Sequence, residues 1–205
     1  MTNHNGDTAL TQLRTSQILE AAIALVAEHG GDKVRLRDIS ATTGLSIGTL
    51  QHYFATRDNL LEAAFLEHHQ RVINSFTAAG ASDSDPWQRI CRMIDDFCRP
   101  ESIEHRSKVW IEMVSQARRE PAILEAARRA YETWRDVFES AIRDGIDQGQ
   151  FQPVVSVEDA TSAFLAAVDG YEIVFTLGIG NTTAESVQRS LKTLVAALLH
   201  FTEQP

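Results

Sequence analysis

The chain has 205 residues, of which 43% are hydrophobic and 23% charged, and its formal net charge is −9. This length and composition allow a sizeable buried core, and a content of two cysteines excludes a disulfide scaffold. The apolar runs are too short for a membrane span, and the N-terminus reads as polar chain rather than as a signal peptide. We therefore expect a soluble, cytoplasmic protein that needs no cofactor.

Helical periodicity begins near Thr11. From there Ile18, Ala22 and Val26 recur at helical spacing as far as the glycine pair at 30–31. The pattern predicts a first helix that packs over the motif that follows it.

The next stretch predicts two short helices around a tight turn. Leu36 and Ile39 give one apolar face before Gly44, and Leu50 and Phe54 give another after it. Gly44 stands where the first helix must stop and where the backbone needs a positive φ, which glycine adopts at little steric cost. The spacing is typical of a helix-turn-helix.

The second of these helices carries the candidate DNA-reading surface. Ser46 is a good N-cap for it, and its outward face is small and polar, with side chains that can contact base edges or phosphates in a major groove. By spacing alone, an ordinary helical pair with a polar outer face remains an alternative. The candidate DNA-binding residues are Arg35, Arg37, Ser46, Ile47, Gly48, Thr49, Gln51, His52, Tyr53 and Arg57.

The letters G-L-S-x-G-T-L-x-H-Y-F, followed by T-R-D-N-L-L, resemble the TetR (tetracycline-repressor) family of bacterial regulators over residues 18–66. In that family the second helix of the motif enters the major groove, which by position matches residues 46–53. The resemblance implies a double-stranded DNA operator as partner. There are departures: Arg35 stands where the family usually has a capping Ser or Thr, and Ile47 where many members carry Lys, Thr or Arg.

Capping signals, among them Asp85 before Pro86 and Ser156, and glycine or proline stops divide the rest of the chain into further helices, about nine in all. We predict an all-α fold with two domains. Residues 1–55 form an N-terminal three-helix helix-turn-helix head that binds DNA, and residues 56–205 form a helical body for ligand binding and dimerisation.

The last two predicted helices are apolar around much of their circumference, so each must be covered on more than one side. A wholly intramolecular core is one way to do this. The TetR resemblance implies another, a homodimer in which these helices and their partners form a four-helix bundle. The candidate interface residues are Phe175, Val187, Leu191, Leu194, Val195 and Leu198.

Aromatic side chains cluster in the middle of the body, which is also typical of an ordinary helical core. The TetR resemblance implies that they line a pocket for a small-molecule effector. The W-x-E-M helix and the Asp169-Gly170 pair look like the subgroup that includes choline-responsive repressors, so an organic cation is one hypothesis for the effector. The candidate ligand-binding residues are Trp110, Met113, Tyr131, Trp134, Phe138, Phe164, Val168 and Tyr171.

The sequence therefore predicts a dimeric, ligand-responsive regulator that represses transcription from a palindromic operator. A helical adaptor without DNA binding is the alternative, because residues 1–69 hold eight acidic against five basic side chains. No hydrolase motif or phosphate loop is present, so we do not expect an enzyme. We expect no metal site either, since Cys91 and Cys98 lack zinc-site spacing and the adjacent His68 and His69 point to different helix faces.

Overall fold

A computed structural model describes residues 4–80 and 85–201, with side chains at 10–78, 85–100 and 102–201. These residues form nine α-helices and no strand, which confirms the predicted all-α fold. In chain order the helices are α1 (His4–His29), α2 (Leu36–Thr43), α3 (Ile47–Tyr53), α4 (Arg57–Gly80), α5 (Pro86–Phe97), α6 (Pro100–Ala117), α7 (Pro121–Asp147), α8 (Val157–Leu177) and α9 (Ala184–Leu198).

Local capping sets where several of these helices begin. The Asp85 side chain accepts a hydrogen bond from the Gln88 N–H at 2.9 Å, so Asp85 caps α5. The Ser156 hydroxyl accepts from the Asp159 N–H at 3.0 Å and caps α8. Both caps were predicted from the sequence. The start of α1 differs, because the helix begins at His4, ahead of the predicted start at Thr11.

The chain divides into two compact units. The first comprises Met1–Gln70 and Glu112–Ala127, and the second comprises Arg71–Ile111 and Arg128–Pro205. Helices α4, α6 and α7 therefore each contribute residues to both units. The predicted domain boundary after residue 55 stays a prediction.

In the first unit, α1 packs on α2 and α2 packs on α3. The core residues Ile18, Ile39, Leu50 and Phe65 are completely buried. The apolar faces that the sequence places on these helices are therefore turned inward, which leaves the opposite face of α3 open.

In the second unit, α9 packs on both α5 and α8. Ile94, Phe138, Phe164 and Leu191 belong to one continuous apolar cluster. Helix α8 is long and apolar enough to cross a membrane, judged by length and composition alone. Of its apolar 18-residue stretch, 28% is buried within the chain. Much of its surface is thus left uncovered by its own chain.

A close contact in the second unit depends on a glycine. The Phe151 ring is 4% exposed and lies directly over Gly145 of α7. A Cβ atom built on Gly145 would lie 2.1 Å from two carbons of that ring. Only glycine lets the segment after α7 fold back this closely.

We predict that Gly145→Ala lowers the free energy of unfolding by about 1 to 3 kcal/mol, the usual range for overpacking a core. Alanine has the higher helix propensity, so any loss must come from the displaced ring. Urea unfolding followed by circular dichroism measures this change.

Gly48→Ala is the matched control, since among the described residues beyond its own helix backbone a Cβ there would meet only the Ser46 Oγ, at 3.8 Å. Its stability should be unchanged or slightly raised. Equal stability of the two variants would contradict the packing argument.

Candidate DNA-binding face and effector region

The turn between α2 and α3 has the geometry that the sequence predicts. Gly44 has a φ of 71° and its N–H donates to the Ser40 carbonyl, which closes α2. The Ser46 Oγ then accepts from the Thr49 N–H at 3.1 Å, which opens α3. Leu50 is completely buried and anchors α3 from below.

The opposite face of α3 is open, as predicted. Ile47 is 43% exposed, Gln51 and His52 are exposed, and Tyr53 is half-buried. Gly48 is exposed as well and leaves room for close approach to the helix backbone.

Thr49 differs from the other residues of this face. It is half-buried, and its Oγ1 lies 2.8 Å from the Ser46 Oγ in a hydrogen bond. The two hydroxyls thus take part in the cap of α3. A base contact by either of them must be made in addition to that role.

The N-terminus of α2 is capped by a neighbouring carboxylate instead of by the residue at the cap position. Arg35 occupies the N-cap, and its backbone N–H donates to the Asp38 Oδ2 at 2.9 Å. The Arg35 side chain is left exposed. Arg37 is 68% exposed, with its Nε 3.6 Å from Asp38. Both guanidinium groups are accessible to a phosphate.

Arg57 was predicted to contact DNA, but its guanidinium is bonded to groups of its own chain. Its Nε donates to the Val34 carbonyl at 2.6 Å, and its Nη2 donates to the Gly31 carbonyl. Its Nη1 pairs with Asp58 at 2.7 Å. The guanidinium therefore holds the segment that joins α1 to α2, which favours a positioning role over a direct phosphate contact.

Sequence reasoning missed a second contact to the same segment. The Glu112 Oε1 accepts from the Gly31 N–H at 2.8 Å and from the Gln116 Nε2 at 3.2 Å. Arg119 pairs with Asp32 at 3.0 Å. A Cβ on Gly31 would lie 1.7 Å from the Gln116 Nε2, so a larger residue there would displace the Gln116 side chain. The Gly30-Gly31 pair was the one sequence signal of this close approach.

The second unit holds a buried charge cluster on α6 and α8. The Arg106 Nε lies 3.5 Å from the Glu172 Oε1, and both side chains are nearly inaccessible, at 7% and 6% exposure. The Trp110 Nε1 donates to the Asp169 Oδ1 at 3.0 Å. The Arg106 guanidinium also lies over the Phe97 ring, 3.9 Å from its centroid. The sequence had suggested Trp110 but not Arg106.

Burial sets the electrostatics of this cluster. It raises the pKa of Glu172 to about 8, against the lowering effect of Arg106. It also raises the pKa of Asp169, although the Trp110 hydrogen bond opposes this. The pKa of Arg106 is lowered by the same burial, but a guanidinium stays protonated near neutral pH. Burial thus disfavours the charged forms of both carboxylates, and Arg106 opposes this effect at Glu172.

The predicted ligand-binding residues fall into two groups. Trp110, Tyr131, Trp134 and Tyr171 are half-buried and border the apolar cluster or the charge cluster of the second unit. The other residues are core residues, because Phe138 and Phe164 stack at 4.0 Å, Val168 is buried, and Met113 is completely buried in the first unit. Packing explains this second group without a ligand, and their role as ligand contacts stays a prediction.

The predicted dimer surface needs correction. Val187, Leu191 and Val195 are at most 1% exposed and lie in the core of their own chain, so they cannot form a contact surface for a second chain. They face α5 and α8, the helices against which α9 packs. Phe175, Leu194 and Leu198 are half-buried and stay candidates.

An exposed face of α8 was not predicted. It is formed by four residues at helical spacing, which are Ala166, Gly170, Ile173 and Leu177. Ile173 is 49% exposed and Leu177 is 65% exposed. Within the described parts of the chain, no cluster of metal-binding side chains is found.

Two family models match the chain. Residues 86–200 match the C-terminal region of BetI-type transcriptional repressors, and residues 18–64 match the tetR family of bacterial regulatory proteins. The two matched segments contain the charge cluster and the helix-turn-helix, respectively. Both families consist of regulators and not of enzymes, in agreement with the sequence prediction.

Individual relatives agree with these matches. The transcriptional regulator PksA of Bacillus subtilis is 27% identical over 115 residues, which are 56% of this chain. The match spans 56% of the length of PksA, little more than half of that relative. The regulator BetI of Burkholderia thailandensis is 25% identical over 78% of this chain and 80% of its own. A transcriptional regulator from Saccharomonospora viridis, solved in complex with choline, has the same fold, with a TM-score of 0.82 and 22% identity over 90% of this chain and 96% of its own. The chain thus belongs to the TetR family of bacterial transcriptional regulators, with a C-terminal region of the BetI type.

Proposed function

We propose that this protein is a dimeric repressor that binds a palindromic DNA operator and is released from it by a small organic cation. The geometry of α3 is the observation that supports DNA binding. It is capped at Ser46, anchored by the buried Leu50 and open along Ile47, Gly48, Gln51 and His52. The cytoplasm is the compartment in which such a protein meets its operator.

On DNA, α3 enters the major groove, with Gln51 reading base edges and His52 and Tyr53 facing phosphates. Arg35 and Arg37 at the start of α2 add charge-assisted phosphate contacts. Since the chain has a net charge of −9, these local guanidinium groups must outweigh a general repulsion from DNA. Binding should therefore depend strongly on a matched site.

The effector region favours a cation because its charges are unbalanced. Glu172 is buried beside Arg106, and Asp169, which accepts from the Trp110 N–H, is a second carboxylate that raises the pKa of Glu172. A second cation near these carboxylates would stabilise their charged forms and so oppose the rise in pKa that burial causes. Trp110 and Tyr131 supply aromatic faces for such a ligand. The choline complex of the Saccharomonospora viridis protein supports the same ligand class.

For the dimer we infer an interface along the exposed face of α8, with Phe175, Leu194 and Leu198 beside it. Gly170 supports this interface, because a glycine inside a helix destabilises the helix by roughly 1 kcal/mol relative to alanine. Among the described residues, no atom outside the glycine's own stretch of helix lies within 4 Å of a Cβ built there, so packing against these residues does not require glycine. A glycine at this position would let α8 of the partner subunit approach the helix backbone closely.

DNA binding is tested by selecting fragments from a random pool at near-physiological salt. We expect enrichment of an inverted repeat. Arg37→Ala should weaken binding to all sequences alike and reduce the slope of log affinity against log salt by about 1, whereas Gln51→Ala should change the preferred bases.

Arg118→Ala is the control for Arg37, because it removes the same charge from an exposed position in the turn after α6. It should leave the salt slope unchanged. A folded protein that enriches no sequence would support the adaptor alternative instead.

The dimer is tested by Gly170→Leu, which should weaken self-association by roughly tenfold or more, since a leucine there would overpack the interface. Sedimentation at micromolar concentration measures this, with circular dichroism to confirm that the helices remain. Ser140→Leu, at an exposed position of α7, is the control and should stay dimeric. A wild-type monomer at that concentration would remove the dimer from the proposal.

Glu172 makes stability depend on pH. Because burial raises its pKa from 4.5 to about 8, the folded chain keeps a proton that the unfolded chain releases between those values. Its protonation stabilises the fold fully below pH 4.5, and this contribution is lost as the pH rises towards 8. The melting temperature of Glu172→Gln should therefore overtake that of wild type as the pH rises through this window.

The same linkage applies to the effector. If choline binds only when Glu172 is ionised, its affinity should rise by up to about tenfold per pH unit below pH 8. Calorimetric titration of wild type and Glu172→Gln measures this dependence, which the variant should lack. Stabilisation by neutral or anionic compounds alone would count against a cationic effector.

A further inference from the structure

Ile47 is an unusual residue for the open face of α3. It is the first residue of the helix, directly after the Ser46 cap, and 43% of its surface is exposed. Inward packing at this end of the helix is supplied by Leu50, which is completely buried. Much of the Ile47 side chain is therefore free to contact something outside the chain.

In the first turn of α3, the hydroxyls beside Ile47 already take part in hydrogen bonds within the turn. The hydroxyls of Ser46 and Thr49 are bonded to each other at 2.8 Å, and the Ser46 Oγ also accepts from the Thr49 N–H. Gly48 contributes no side chain, and a Cβ built there would meet only the Ser46 Oγ. Ile47 is thus the main group that this turn offers to a base edge.

The shape of an isoleucine side chain suits a fixed apolar contact. Branching at Cβ leaves one strongly preferred χ1 rotamer in a helix, so little rotamer entropy is lost on binding. An isoleucine has no donor or acceptor with which to read the polar groups of a base. It can discriminate bases only by apolar contact and by shape.

The major groove offers one such apolar group, the C5-methyl of thymine, and residues at the N-terminus of a recognition helix are those that reach base edges. We infer that Ile47 packs against the C5-methyl of one thymine in each operator half-site and is a specificity-determining residue. The inference rests on the proposed DNA binding. It assigns to Ile47 a preference for thymine over cytosine, which lacks this methyl group.

The test removes the methyl group and nothing else. In a duplex selected by the wild-type protein, each thymine is replaced in turn by deoxyuridine, which keeps every hydrogen-bonding group. Affinity is measured by fluorescence anisotropy. At one thymine per half-site we expect a loss of about fourfold, the effect of leaving one methyl-sized apolar group unburied.

The protein variants assign that effect to Ile47. Ile47→Ala should bind the thymine and deoxyuridine duplexes equally well, and Ile47→Val should keep part of the difference. Leu124→Ala is the control, because Leu124 is another exposed apolar side chain of the first unit, on α7. It should discriminate as strongly as wild type does.

Several outcomes would overturn the inference. If wild type binds the duplex in a salt-dependent way but no deoxyuridine replacement changes its affinity, Ile47 does not read a methyl group, although DNA binding stands. The same holds if Ile47→Ala and Ile47→Val, both folded by circular dichroism, still discriminate fully. If no DNA is enriched at all, the DNA-binding proposal fails and this inference fails with it.

Discussion

The Arg57 guanidinium holds the segment between α1 and α2, and the placement of the whole helix-turn-helix depends on that contact. It donates to the carbonyls of Gly31 and Val34, while Glu112 accepts from the N–H of the same Gly31. Hydrogen bonds with a charged partner are about twice as strong as neutral ones. With both polar groups of Gly31 fixed, the chain enters α2 in one direction, and α3 follows through the turn at Gly44.

This arrangement gives α6 a second role beyond packing. Its residues Arg106 and Trp110 belong to the charge cluster of the second unit, whereas Glu112 and Gln116, farther along the same helix, contact Gly31 in the first unit. A side chain at Gly31 would have to displace the Gln116 amide, whose Nε2 lies 1.7 Å from the Cβ position.

The charge cluster itself is an unfavourable feature for stability. A buried ion pair often stabilises a fold no better than apolar side chains of the same volume, because both ions lose their hydration. Here the charged form of Glu172 is disfavoured further, since Asp169 raises its pKa while Arg106 lowers it. Buried ionisable groups with shifted pKa values of this kind cluster at functional sites in proteins.

The sequence by itself determined the elements whose causes are local. The caps at Ser46, Asp85 and Ser156 and the stop at Gly44 involve residues three or four positions apart, so their hydrogen bonds follow from the order of the residues. The open face of α3 followed in the same way, from helical periodicity around Leu50. The family resemblance over residues 18–66 rested on these same local signals.

Only the tertiary structure decided which partners meet across long stretches of chain. Arg57 contacts the backbone of Gly31 and Val34, and Arg106 meets Glu172, although no spacing in the sequence links them. Apolar periodicity showed that α9 needs cover, but only the fold showed that Val187, Leu191 and Val195 are covered by their own chain. The physical reason is that periodicity reports how much surface must be buried, whereas the path of the chain determines what buries it.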